Sequence, residues 1–267
     1  MKKNQLVVIT GASSGLGREM AKSFARRGKS LALIARRTGP LESLARECEK
    51  LSSPSADIFT IDVNSHQLVR ETLQKLENDF GIDYFIANAG VNDTYPIDQD
   101  STKIAQNTFA VNTIAVIDQI EFLKSIWLKK DQKNRNKVIV GVTSISAVRG
   151  LPESGIYSAS KAATAVYLES ISIECRPKGI RIVNFAPGFM KTEMTEGATY
   201  SMPFILSAQK AAELCVSDVL KGKDFIIYAW PFKLIVYFLQ VLPNWAYRLW
   251  ASVFMKLRGG RSFSSET

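Results

Sequence analysis

The chain has 267 residues, 46% hydrophobic and 22% charged, the make-up of a globular protein with a sizeable core. Its formal net charge is +9, but the basic residues are scattered, with no arginine-rich arm, zinc finger or RNA-binding signature, so no nucleic-acid partner is expected. Three cysteines, Cys48, Cys175 and Cys215, without a CxxC pair, argue against a disulfide framework or a zinc site and fit a reducing compartment. The opening MKKNQLVVIT has too short an apolar run for a secretory leader, so it reads as a strand of a cytoplasmic protein.

Strand-like and helix-like segments then alternate. QLVVIT (5–10) predicts a strand, and Gly15 to Arg27 a helix. SLALIA (30–35) is a second strand, followed by a helix over about 41–51. DIFTID (57–62) is a third, with a helix running towards Phe80, and DYFIAN (83–88) a fourth. A long helical region covers roughly 99–128, and KVIVGVTS (137–144) is a fifth strand. A helix over about 155–176, IRIVNFA (180–186), a helix near 207–221 and DFIIYA (224–229) complete the series. Apolar strands alternating with helices imply a doubly wound parallel sheet covered on both faces, an α/β fold. One domain is expected over 1–230, with a helical extension over 231–267.

The stretch TGASSGLG (10–17) closes the first strand and opens the first helix. Gly11 permits a tight turn, while Gly15 and Gly17 let backbone approach a pyrophosphate at the helix N-terminus; a plain strand-to-helix turn is the alternative. The second strand ends LIARRTG. An acidic residue usually stands there in NAD-binding sheets, to hold the ribose 2′-hydroxyl. Arg36 and Arg37 stand there instead, and a guanidinium fork suits a 2′-phosphate, so NADP(H) is expected; two solvated loop arginines are the alternative. In GIYSASKAA (155–163), Tyr157 and Lys161 are four apart and share a helical face. A phenol ionising near pH ~10 forms no salt bridge at neutral pH. A nearby cation does favour the phenolate and brings a tyrosine towards proton-transfer range, although such pairs also arise by chance.

With these motifs in order, the sequence resembles the short-chain dehydrogenase/reductase family over about residues 5–230. The matching residues are Thr10-Gly11 with Gly15 and Gly17, Asn88-Ala89-Gly90, Asn112, Ser144, Tyr157 with Lys161, Pro187-Gly188 and Thr192. The resemblance implies a Rossmann-like fold and an NADP(H)-dependent oxidoreductase interconverting a carbonyl and an alcohol. Tyr157 and Lys161 match the family's YxxxK pair, general acid/base and activator, with Lys161 also gripping the nicotinamide ribose. Ser144 would polarise the carbonyl, and Asn112 would hold a water that relays protons to Lys161. The cofactor loop would comprise Thr10, Gly11, Ser13, Ser14, Gly15, Leu16 and Gly17. Arg36 would sit nearest the phosphate, with Arg37 assisting or covering the adenine. Asp62 and Val63 would border the adenine, unless Asp62 is a turn or capping residue. Asn88, Ala89 and Gly90 would steady the sheet and line the pocket, and Pro187, Gly188 and Thr192 would border the nicotinamide. Family habit favours homodimers or homotetramers through the helices at 99–128 and 155–176. No metal is expected, and His66, in a polar helix start, reads as solvent-facing.

The end of the chain is not explained by those motifs. Between Lys233 and Arg248 lie fourteen residues that include Gln240, Pro243 and Asn244, short of the ~20 apolar residues a membrane span needs. Trp245, Leu249, Trp250, Val253, Phe254 and Leu257 share one helical arc opposite Arg248, Ser252 and Lys256, which predicts an amphipathic helix with aromatic anchors and a cationic face. Three destinations stay open for 231–258: its own domain or a partner subunit, a membrane surface in peripheral contact, or a roof over the substrate pocket. Met194, Met202, Phe204 and Ile205 offer apolar lining that suits a small or lipid-like ketone or aldehyde, including a 3-keto lipid, without identifying it. The rival from another class is a non-catalytic NADP-binding sensor or scaffold, against which the full set of four reactive groups argues.

Overall fold

The apolar runs read as strands show little alternation, and the architecture supplies the reason: both faces of the sheet are covered. The computed structural model describes residues 5–93, 95, 98–129, 136–191, 205–228 and 230–257. In chain order the first half contains β1 (Leu6–Thr10), α1 (Gly15–Ala25), β2 (Ser30–Ala35), α2 (Thr38–Lys50), β3 (Ala56–Thr60), α3 (His66–Asp79) and β4 (Ile82–Ala87). Next, α4 (Thr102–Phe109) runs through a π-helical turn (Ala110–Ile114) into α5 (Ala115–Lys129). Then follow β5 (Lys137–Val142), a short 3-10 turn (Ile145–Ala147), α6 (Gly155–Cys175), β6 (Ile180–Ala186), β7 (Met190–Lys191), β8 (Leu206–Ser207), α7 (Ala208–Leu220) and β9 (Phe225–Ile227). Two further helices close the described chain, α8 (Trp230–Val241) and α9 (Asn244–Leu257).

Seven strands form one sheet in the order β3-β2-β1-β4-β5-β6-β9, every pair parallel. Alternate residues of β1 feed the two cores: Val7 and Ile9 pack on one face, Leu6 and Val8 on the other. On the first face α1 contributes Leu16, Met20 and Phe24 at four-residue spacing, and α7 contributes Ala211, Cys215 and Val219. On the second, Val116, Ile120, Leu123 and Trp127 of α5 meet Leu168, Ile171 and Cys175 of α6. The three cysteines are free and buried. Because all strands run the same way, the residues following β1, β4, β5 and β6 gather at one edge. The strand order reverses direction beside β1, between β1 and β4, where a crevice opens in doubly wound sheets.

Several boundaries differ from the sequence reading. Helix α2 starts at Thr38, three residues early, because Pro40 falls in the first turn, where a missing N–H leaves no bond unmade. Strand β3 stops at Thr60, so Asp62 lies in the loop beyond it. The region expected as one helix is interrupted at Asn112 by the π-helical turn, and the parallel pair β7–β8 was not foreseen. His66 is half-exposed, with Nδ1 3.5 Å from Asp118 of α5. Helix α8 opens at Trp230, one residue before the expected extension, and turns Val236 and Leu239 inward. Pro243, which disfavours helical backbone in the residue before it, separates α8 from α9.

Candidate active site

The glycine loop is closed by backbone crowding. Thr10 Oγ1 donates to Ile86 O at 3.3 Å and accepts the N–H groups of Asn88 (3.1 Å) and Ala89 (3.3 Å), joining the ends of β1 and β4. Asn88 Nδ2 returns the link by donating to Thr10 O (3.1 Å) and Gly11 O (3.2 Å). Gly11 has a φ of +67°, and a Cβ there would lie 2.7 Å from Ala89 Cα. A Cβ on Gly17 would lie 2.4 Å from Gly11 O and 2.5 Å from Asn88 Nδ2. The first turn of α1 carries no acidic residue, and Ser14, at its N-cap, makes no side-chain capping bond. The N-terminal N–H groups of α1 therefore present a positive end with no internal counter-charge. Leu16 buries its side chain in the core, so only its backbone faces this loop chemistry.

The two arginines diverge. Arg37 reaches back to the loop, its Nε and Nη2 donating to Ser13 Oγ at 3.4 and 3.3 Å. Arg36 is 69% exposed, with Nη1 3.9 Å from Asp62 Oδ2. Asp62 Oδ1 meanwhile accepts Asn64 N–H at 2.9 Å, so the turn role weighed for Asp62 is real and coexists with its position beside Arg36. Val63 is buried with Val111 and Ala115, and Ala89 packs against them.

At the other end of the crevice the buried residues are unusually polar. Lys161, only 4% exposed, donates from Nζ to Val142 O, the last residue of β5, at 2.9 Å. Burial pushes its pKa down from 10.5 to about 8. Nζ lies 6.0 Å from the ring centre of Tyr157, one turn earlier on α6. A Cβ on Gly90 would stand 3.3 Å from Lys161 Nζ and 3.2 Å from Asn112 Oδ1, so both groups converge on that glycine. Asn112 Oδ1 accepts Val91 N–H (2.8 Å), while Nδ2 donates to Val91 O (2.9 Å) and Ser160 Oγ (3.0 Å). Its main-chain carbonyl accepts from Thr164 Oγ1 at 2.8 Å. Ser144 is extended and buried two residues past β5; its Oγ accepts Ser146 N–H at 3.1 Å. Ile145 N–H donates to Pro187 O at 3.1 Å, bringing the Pro187-Gly188 segment beside it. Thr192 lies outside the described residues, as do Met194, Met202 and Phe204.

Three supporting residues escaped the sequence reading. Ser160 takes the Asn112 bond and donates to Tyr157 O at 2.8 Å, linking the π-helical turn to the turn of α6 that carries Tyr157. Tyr95, whose hydroxyl accepts Ile156 N–H at 3.0 Å, caps α6 one residue before Tyr157, where Ser154 makes no side-chain cap. Arg149 lies on the segment joining Ser144 to α6 and clamps the far end of the chain. Its Nε donates to Leu239 O (2.8 Å), Nη1 to Asn244 Oδ1 (2.9 Å) and Nη2 to Leu242 O, while the guanidinium covers the Tyr247 ring. The only available signal was SASK for Ser160; the other two contacts join residues 61 or more positions apart. Among the described residues no group of three His, Cys, Asp or Glu side chains could hold a metal.

A glycine-rich loop at a parallel-sheet crevice, with a buried Lys161 and a partly exposed Tyr157 across it, outlines a dinucleotide-dependent oxidoreductase site. The sequence model of the family described as short chain dehydrogenase matches residues 5–202. An 11-beta-hydroxysteroid dehydrogenase-like protein (number 3) of Arabidopsis thaliana is 34% identical over 233 residues, 83% of this chain and 72% of that one. Among solved structures, an alcohol dehydrogenase from the archaeon Thermococcus sibiricus complexed with 5-hydroxy-NADP is 27% identical, with a TM-score of 0.72 over 84% of this chain and 95% of that one. A short chain dehydrogenase/reductase from Burkholderia phymatum in complex with NAD shares the fold at 21% identity, with a TM-score of 0.76 over 89% and 94% of the two chains. The chain belongs to the short-chain dehydrogenase/reductase family. It is an oxidoreductase of that type, acting between alcohol and carbonyl with a nicotinamide cofactor.

Two expectations follow. Gly17→Ala should destabilise the fold by about 3 kcal/mol, the upper range for overpacking, in urea unfolding. Gly39→Ala, whose Cβ would meet nothing within 4 Å, should be neutral or slightly stabilising, and equal losses in the two would contradict the crowding argument. The Lys161 pKa is lower folded than unfolded, so between about 8 and 10.5 the unfolded chain binds the extra proton and stability rises with pH. Wild type should gain stability relative to Lys161→Met across that window, and a difference independent of pH would remove the depressed ionisation.

Proposed function

We propose that the protein is an NADP(H)-dependent carbonyl reductase, or the same enzyme run as an alcohol dehydrogenase, on an apolar or lipid-like ketone or aldehyde. The observation that carries this is the buried Lys161 ammonium. Among the described residues Nζ donates to Val142 O, and a buried ammonium, which carries three donors, suits hydroxyl ligands. The cofactor's demands fit the donor set: a helix N-terminus without its own anion for a pyrophosphate, and Arg36 and Arg37 for a 2′-phosphate.

When bound, the nicotinamide supplies or takes the hydride. As the carbonyl carbon gains that hydride, its oxygen becomes an alkoxide and needs a proton. Tyr157 donates it from its phenol, and in the reverse direction recovers it from the alcohol. The Lys161 ammonium lowers the cost of the resulting phenolate and binds the ribose hydroxyls. Ser144 donates a hydrogen bond to the same oxygen, stabilising charge as it develops. Asn112 works by position: its side chain is committed to Val91 and Ser160, so a water relay to Lys161 would use the second lone pair of its main-chain carbonyl. Thr10, Gly11, Ser13, Ser14, Gly15, Gly17 and the backbone of Leu16 form the phosphate cradle. Asp62 and Val63 border the adenine, Asn88-Ala89-Gly90 the middle of the crevice, and Pro187, Gly188 and Thr192 the nicotinamide. An apolar substrate is favoured by likeness to a protein named for hydroxysteroids. Assembly as a homodimer or homotetramer through α4–α5 and α6 is supported by Val166 and Ile173, exposed apolar residues seven apart on α6.

NADPH consumption measured over carbonyls from small aldehydes to long-chain keto lipids should rise with apolar size. Ser144→Ala should lower kcat by about 10²–10³ while leaving NADPH affinity unchanged. No turnover on any carbonyl by protein that binds NADPH tightly would favour the sensor reading. The Arg36→Ala/Arg37→Ala double variant should weaken NADPH roughly 10–100-fold, as expected for lost charge-assisted bonds, and NADH little. An equal loss for both nucleotides in titrations would remove the 2′-phosphate assignment.

A further inference from the structure

The outermost helices turn their apolar residues the wrong way for a core. On α8, Leu234, Tyr237, Phe238 and Val241 recur at i, i+3, i+4 and i+7, and all are exposed, Val241 at 79%. On α9, Trp245, Leu249 and Val253 form a second line at i, i+4 and i+8, with Trp245 73% exposed. Of the predicted arc of α9, the described side chains of Trp245, Leu249, Trp250 and Val253 are all exposed. Among the described side chains of the two helices, Val236 and Leu239 on the inward stripe of α8 are buried. Exposed apolar rows on two successive helices mark an interaction site.

Charge selects the occupant. From Trp230 to Leu257 the sequence has Lys233, Arg248 and Lys256 and no Asp or Glu, together with eight aromatic residues. A second copy would set like charges together in the interface, on a chain already at +9. An anionic lipid surface complements both features, since Trp and Tyr settle at the headgroup boundary and Lys/Arg near it attract acidic lipids. Crossing is not the mode: no described helix is long and apolar enough to span a membrane. At about 1.5 Å per residue, α8 and α9 are about 18 and 21 Å long, dimensions suited to lying in the interface plane.

We propose that the exposed face of α8 and α9 docks the enzyme peripherally on an anionic bilayer surface. Arg149 gives the docking a consequence. It binds the carbonyls of Leu239 and Leu242, and the Tyr247 hydroxyl donates back to Gly150 O at 2.6 Å, so the junction of α8 and α9 is fixed to the segment between Ser144 and Tyr157. A docked enzyme thereby holds that segment beside the membrane, where an apolar carbonyl is concentrated. This consequence rests on the proposed function; the docking itself does not.

The test is flotation of the full-length protein with vesicles of phosphatidylcholine alone and of phosphatidylcholine mixed with phosphatidylglycerol. The wild type should float with the anionic vesicles and dissociate at high salt, and Trp245→Ser/Leu249→Ser should lower binding at least about tenfold. Unchanged circular dichroism and NADPH binding in that variant would show that the loss is not unfolding. Protein that stays in the unbound fraction, or floats equally with both vesicle types, overturns the proposal. Lipid-free self-association abolished by the same double substitution, without flotation, assigns the face to a second copy instead. Because the readout is lipid binding, these outcomes are independent of whether any carbonyl is turned over.

Discussion

A single buried cation organises the chemical end of this protein. Lys161 leaves water to reach Val142 O at the end of β5. Burial of an ammonium is costly, and its depressed pKa is the sign of that cost. The surroundings fix the group in place by polar stitching. Thr113 Oγ1 donates to Ser160 O, Thr164 Oγ1 to Asn112 O, and Asn112 Nδ2 to Ser160 Oγ. These bonds join α6 to the π-helical turn on both sides of Lys161. Gly90 completes the enclosure, since a methyl there would press on Lys161 and Asn112 together. A buried charge held by a polar frame is characteristic of a working site.

The phosphate end obeys a different constraint, the closeness of backbone to backbone. Gly11, Gly17 and Asn88 are packed so tightly that no side chain can enter between β1, α1 and the segment after β4. That crowding aims the first turn of α1 out of the sheet edge, and the parallel sheet brings Ser144, Pro187 and α6 to the same edge. The two ends are thus set by one architecture, with the strand order determining their separation. Helices α8 and α9 join this arrangement through Arg149, so a surface feature of the molecule is mechanically continuous with its crevice.

Much of this was legible in the residues. Buried strands such as LVVIT and SLALIA need no alternation, and their spacing with helices specified a parallel sheet; the order of glycines, Asn, Ser, Tyr and Lys carried the family resemblance. The misses have physical causes. AVNTI carries nothing that distinguishes a π-helical turn from an α-helical one, because the two differ by one residue in a hydrogen-bond ring. Tyr95 on Ile156 and Arg149 on Leu239 are contacts between distant segments, which no local pattern encodes. For Asp62 the sequence offered two roles and the structure uses the turn while keeping Arg36 nearby. The periodicity of α9 told which residues share a face, but periodicity has no sign, and its described members Trp245, Leu249, Trp250 and Val253 are exposed.

The central claim is that Tyr157 moves the proton while Lys161 both tunes that phenol and holds the cofactor. Equilibrium NADPH binding and single-turnover carbonyl reduction, measured side by side on Tyr157→Phe and Lys161→Met, separate these roles most directly. The account predicts that Tyr157→Phe keeps near-native NADPH affinity and loses about 10²–10⁴ in single-turnover rate, whereas Lys161→Met loses both affinity and rate. A Tyr157→Phe enzyme that reduces its carbonyl at close to the wild-type rate would contradict it.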